Sequence, residues 1–104
     1  MEEPNPHADS VDDLSHADTG RWLVTTHGSR HLWNLDEGTY CRLPGDGRAA
    51  FALDGIPVKL NRVEAWPAVG QCFLIRFDDI ENPSLEHWRL SSTVRSIERL
   101  PDPT

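Results

Sequence analysis

Long apolar runs are missing from this sequence. No stretch approaches the roughly 20 consecutive apolar residues that span a bilayer as a helix. Catalytic signatures are missing too: there is no GxSxG elbow, no HExxH and no GxxxxGK, so no motif argues for a serine hydrolase, a zincin or a P-loop enzyme. Cysteine is scarce. Cys41 and Cys72 are the only two, and neither lies in a CxxC or Cys/His spacing that would hold structural zinc. The chain also lacks the basic start and apolar run of a secretory leader, so the cysteines are expected as reduced core residues rather than a disulfide. Lysine is nearly absent, with Lys59 alone against nine arginines, a bias that fits a GC-rich bacterial or phage genome.

Positive charge is absent from residues 1–20, which hold six acids and no Lys or Arg. The remaining 84 residues set 11 acids against ten bases, so the formal net charge of −7 belongs mostly to this tail and the body is nearly neutral. The tail has two prolines, no aromatic residue, and only Val11 and Leu14 as large aliphatics. It offers too little apolar surface to offset the entropy of ordering it. The expected organisation is a disordered acidic tail (1–20), one folded domain (21–101) and a short C-terminal tail (102–104). A body of this size buries only about 60–65% of its unfolded surface, which predicts marginal stability.

What is present is a quick succession of strand patterns and turns. RWLVTTHGSRHLWNLDEGTYCRL, residues 21–43, reads as three strands, with Gly20 marking the start of the body. Gly28-Ser29 is expected to supply a positive φ at the first turn, and Asp36-Glu37-Gly38 makes the second. Trp22 and Trp33, on adjacent strands, are expected to pair in the core. Pro44-Gly45-Asp46-Gly47 stops the run, and a short strand follows at Ala49 to Leu53. Val58 to Trp66 and Gln71 to Phe77 alternate well, and the Phe73, Ile75, Phe77 face is expected to be core. Asn82-Pro83 is a helix-start signal that predicts one short helical turn near residues 83–89. A last strand is expected from Ser92 to Leu100. Six to seven short antiparallel strands predict an all-β fold, a small barrel or compact sandwich, with closure removing the edges on which so small a sheet would aggregate.

Candidate chemistry is thin. His27 and His31 flank a turn, and Cys41 on the next strand offers a third metal ligand, but turn-flanking histidines are more often solvated or held by local hydrogen bonds. Asp78, Asp79 and Glu81 cluster at a strand end, where a solvated turn is the plainer reading. No catalytic residue, cofactor or metal is assigned. The arginines are spread evenly along a near-neutral body and the tail would repel phosphate, which disfavours direct nucleic-acid binding. Trp66 and Trp88 are expected to be partly exposed, and an aromatic residue beside an arginine, as in Trp88-Arg89, is what protein interfaces favour.

In WLVTTHGSRHLWNLDEGTYCRLPG the residues Trp22, Gly28-Ser29, Leu35-Asp36, Thr39, Arg42 and Pro44-Gly45 form a pattern. It resembles the opening hairpins of small uncharacterised β-barrel proteins of actinobacteria and their phages. The closing STVRSI, Ser92 to Ile97, is similar to their final strand, whereas His31 stands where their pattern has tyrosine. The resemblance implies fold and origin and carries no catalytic residue.

The resulting expectation is a cytoplasmic, non-enzymatic protein-interaction module of a bacterium or phage, with Trp66, Trp88 and Arg89 as its contact surface. Two alternatives stand beside it. One is a phage or mobile-element inhibitor whose acidic tail or face blocks a nucleic-acid-binding host protein. The other is a ligand- or single-strand-binding barrel.

Overall fold

Among the described residues the chain forms eight strands, where six to seven were expected, and no helix. The structure is a computed structural model that describes residues 10–45 and 54–101. The strands are β1 (Ser10–Val11), β2 (Arg21–Thr26), β3 (Ser29–Asn34), β4 (Thr39–Pro44), β5 (Val58–Ala65), β6 (Leu74–Asp78), β7 (Glu86–Leu90) and β8 (Val94–Arg99). They form one antiparallel sheet in the order β1-β8-β2-β3-β4-β5-β6-β7. The expected strand at Ala49 to Leu53 and the expected tail at 102–104 lie outside the described residues.

Period-two burial builds the core. On β2 the residues Trp22, Val24 and Thr26 point inward, and on β3 Ser29, His31 and Trp33 do so. Trp22 therefore stands opposite Trp33, both buried. The Phe73, Ile75 and Phe77 face is buried as its alternation implied. Trp33 meets Phe73 edge-to-face at 5.2 Å and Tyr40 at 5.7 Å, the offset geometry that aromatic quadrupoles favour.

The sheet does not close into a barrel. β4 and β5 pair only through Thr39↔Lys59 and Tyr40↔Val58, and this short junction lets the sheet bend between two arms that share one core. The gap between β1 and β7 is spanned by the β5–β6 connection, which hydrogen-bonds the other arm without becoming a strand of it. Leu14 N–H donates to Pro67 O (2.9 Å), Val69 N–H to Asp12 O (2.8 Å) and Gly70 N–H to Val94 O (2.9 Å). These bonds make an isolated antiparallel bridge, Asp13↔Ala68, and Pro67, which can accept but has no N–H, does not extend it into a ladder.

Three further expectations change. Residues 10–20 of the acidic tail, expected to be disordered, carry a strand and a core residue: β1 pairs with β8 and Leu14 is buried in the core. The two large aliphatics of the tail, Val11 and Leu14, are the residues that dock, the first partly buried against the core and the second fully. The helical turn expected near 83–89 is a β-turn followed by β7. Pro83 fits the second position of that turn, Leu85 N–H donates to Asn82 O (2.9 Å), and the chain then runs extended against β6. Gly28 does not take the positive φ expected of it. Thr26 stabilises that turn instead, its hydroxyl accepting from Ser29 N–H (3.2 Å) and donating to Ser29 O (3.1 Å). The second turn behaves as read, with Gly38 at φ 72°.

Candidate functional site

β7 lies at one end of the strand order, so β6 is its only strand neighbour among the described residues. The register runs Leu74↔Leu90, Ile75↔Arg89, Arg76↔Trp88, Phe77↔His87 and Asp78↔Glu86. Ser91 N–H donates to Phe73 O (2.9 Å) and Asp79 N–H to Leu85 O (3.0 Å) at its two ends. Because hydrogen-bonded and non-hydrogen-bonded pairs alternate in an antiparallel ladder, residues 85, 87, 89 and 91 bond toward β6. Glu86, Trp88 and Leu90 therefore aim both backbone groups away from the sheet.

The same three residues point their side chains outward. Trp88 is 65% exposed and Leu90 60%. Beside them on β6 stand Leu74 and Arg76, and an ion-pair ladder runs along the same face: Arg62 to Glu64 (3.4 Å), Arg76 to Glu64 (3.1 Å) and Arg76 to Glu86 (3.4 Å). Arg76 holds the Glu64 carboxyl below its ordinary range. Exposed pairs of this kind add little stability, but they hold long side chains in place around the apolar strip.

Of the three residues expected to form one contact surface, only Trp88 faces solvent fully. Arg89 follows it on the strand and so faces the opposite side. Its guanidinium lies 5.3 Å from the centre of the Phe77 ring and 5.8 Å from that of Tyr40, with the side chain 14% exposed. Trp66 is half-buried against Trp33, ring centres 5.9 Å apart. Sequence adjacency placed Trp88 and Arg89 together; strand alternation parts them.

Below β7 lies a buried polar cluster that residue-by-residue reading missed. Asp54 pairs with Arg42 through Oδ2, and its Oδ1 lies 4.0 Å from Arg89. Tyr40 O–H lies 2.6 Å from His31 Nδ1, and His31 Nε2 lies 3.2 Å from Thr26 Oγ1. Thr26 gives its proton to Ser29 O, so it accepts from Nε2–H; Nδ1 is then the acceptor and Tyr40 the donor. Arg89 in turn hydrogen-bonds the Tyr40 hydroxyl. Burial pushes the Tyr40 phenol up to about 12, which keeps it a donor. Burial, with Arg42 and Arg89 nearby, pulls the His31 imidazole down to about 3. The only signal for this cluster in the sequence is that His31 and Trp33 share an inward face.

The remaining candidates for chemistry separate. His27 is exposed while His31 is buried with both ring nitrogens engaged, and among the described residues no group of three His, Cys, Asp or Glu side chains is placed to hold a metal. Asp79 pairs with His87 at 2.8 Å and accepts from the Glu81 and Asn82 N–H groups, and these, His87 foremost, hold its carboxyl low. Asp78 instead accepts from the Asn61 amide. Cys41 is buried and Cys72 exposed, and both are free thiols; Cys72 falls outside β6, in the connection, and so leaves the core expected of it. No helix of the described residues is long and apolar enough to cross a membrane. Compared with family models, curated proteins and solved structures, the chain gives no match.

Proposed function

We propose that the protein is a non-enzymatic interaction module, of bacterial or phage origin, that receives an extended segment of a partner protein along β7. The observation that carries this reading is the coincidence on β7 of outward backbone groups at Glu86, Trp88 and Leu90 with the exposed side chains of Trp88 and Leu90. An added strand gains main-chain hydrogen bonds from the first and side-chain contact from the second. Edge strands are commonly blunted by lysine, proline or a bulge. β7 has none of these, whereas β1, the other edge, is only two residues long. A tryptophan next to arginine at the centre of such a patch suits an interface anchor, and Arg76 stands opposite Trp88 on the neighbouring strand.

The test places a photoreactive side chain at position 88, at 90, and at Arg95 on the interior strand β8 as a control, in a bacterial lysate. A partner trapped at 88 and 90 but not at 95, and lost with Leu90→Pro, which removes one outward N–H, supports the reading. Equal trapping at all three positions, or turnover of a small molecule with no partner trapped, overturns it.

A further inference from the structure

Turned away from the core, the outer face of β2, β3 and β4 carries side chains in cross-strand rows. Register sets Arg21 beside Asn34 and Thr39, and Leu23 beside Leu32 and Cys41, so a polar row borders an apolar one. Leu43 lies one row further along β4. Two flanking segments wall this face. Gly55 N–H donates to Arg42 O (2.8 Å) and brings segment 55–57 alongside β4, where Cys41 is buried although it faces outward. On the other side Leu100 N–H donates to Arg21 O (2.8 Å), which sets Leu100 beside β2. Together they enclose a cavity of about 390 Å³. That volume falls at the lower end of the roughly 300–1,000 Å³ of small-molecule sites.

The cavity joins an apolar lining to two opposite charges that do not meet. Leu32, Leu43 and Leu100 supply half-buried aliphatic surface, with Pro57 beside them. Arg21 donates from Nη2 to Pro101 O (3.3 Å), while its Nε is buried without an acceptor. Buried donors are nearly always partnered in folded chains, so an orphan at a cavity wall points to an acceptor brought by a ligand. Glu37 stands exposed in the β3–β4 turn, where Asn34 Oδ1 accepts its backbone N–H (3.1 Å). Its carboxylate forms no ion pair among the described residues, with Arg21 or with any other cation. A lone anion in the cavity meets repulsion from Glu37, and a lone cation meets it from Arg21. A ligand carrying both signs and an apolar body satisfies every wall.

We propose that this cavity binds a small zwitterion, an α-amino acid with an apolar side chain. Its carboxylate meets Arg21, its ammonium meets Glu37, and its side chain covers Leu32 and Leu43. No residue of β7 takes part, so this site and the strand-receiving edge can each fail without the other.

The experiment titrates L-leucine into the full-length, isotope-labelled protein and follows leucine methyl and backbone amide signals by NMR. Saturable shifts at millimolar leucine, confined to the Leu32, Leu43 and Leu100 methyls and the Arg21 and Glu37 amides, are expected. Isocaproate and isopentylamine, which each lack one charge, and glycine, which lacks the apolar body, should each bind about threefold to tenfold more weakly. Arg21→Met keeps the apolar stem and loses the guanidinium, and should weaken leucine binding about tenfold. Glu37→Gln, on an exposed turn, should weaken it about threefold and erase the preference for leucine over isocaproate. That variant covers the case in which Arg21→Met does not fold. Absence of saturation, shifts centred on Trp88 and Leu90, or isocaproate binding as tightly as leucine would overturn the assignment.

Discussion

Acid should unfold this protein through one imidazole. His31 has its folded pKa pulled to about 3, against 6.5 when exposed, chiefly by burial and then by Arg42 and Arg89. The unfolded chain therefore takes up a proton at His31 that the folded chain refuses. The resulting stability is complete above pH 6.5 and is lost as pH falls from 6.5 toward 3. The slope is about 1.4 kcal/mol per pH unit for one proton, so moving from pH 7.5 to 5 removes about 2 kcal/mol. Against a total of roughly 5–15 kcal/mol for a domain, that is a substantial share. The hydrogen-bond chain explains the refusal. A proton on Nδ1 would face the Tyr40 hydroxyl, whose own proton already points there and whose oxygen already accepts from Arg89. Glu64 and Asp79 are held below their ordinary values of 4.5 and 3.8, so their contributions fade only at lower pH and leave the interval above pH 5 to histidine. Urea denaturation of the native protein and of His31→Gln at pH 7.5 and 5 measures the effect. The wild type should lose about 2 kcal/mol more than the variant over that interval. Equal losses, or an NMR titration of His31 with a midpoint near 6.5, would refute the reasoning.

Other consequences are simpler to test. Leu14→Ala should cost about 2–4 kcal/mol by equilibrium denaturation, since Leu14 is 2% exposed in the core, and hydrogen exchange should show amide protection of β1 falling with it. Gly20→Ala should cost about 1–3 kcal/mol in the same assay: Gly20 has φ +91°, and an added Cβ would lie 2.8 Å from Arg99 Nη2, a side chain also held over the Trp22 ring. Iodoacetamide should modify Cys72 in the native protein and leave Cys41 untouched until unfolding, because Cys41 is buried and burial raises its thiol pKa. Mass spectrometry of the alkylated peptides reads this directly, and equal labelling of both would contradict the placement of Cys41. Trp88→Ser should leave stability within about 0.5 kcal/mol, as an exposed residue does, in contrast to Trp33→Ala at about 3–5 kcal/mol.

Much of the fold could be read locally. Alternation at Trp22 to Thr26, around Trp33, and along Phe73 to Phe77 gives the inward faces because side-chain direction in a strand has period two and needs no knowledge of the neighbours. The β7 segment could not be read in this way. Asn82-Pro83 suits both a helix start and a β-turn, and the choice was made by the unpaired edge of β6, against which the chain folds back as a hairpin. Residues 10–14 of the tail escape local reading for a related reason. Two aliphatics are too few to order a segment alone, but they suffice when an existing core offers a site for Leu14 and β8 offers a ladder to Ser10–Val11. Of the interaction surface, Trp88 was legible; the separation of Arg89 from it follows from alternation once β7 is a strand, and the burial of Trp66 depends on the packing of Trp33 beneath it.

The sequence by itself determined an antiparallel β protein with an aromatic core, since backbone geometry and apolar patterning are local properties of the chain. Only the tertiary structure decided that the sheet bends at Thr39 and Tyr40 without closing, and that β7 is left as an edge. It alone gathered Thr26, His31, Tyr40, Arg42, Asp54 and Arg89 into one buried network. Those outcomes rest on which distant strands pair and which charges share a low-dielectric interior. Long-range contact, not local propensity, sets both.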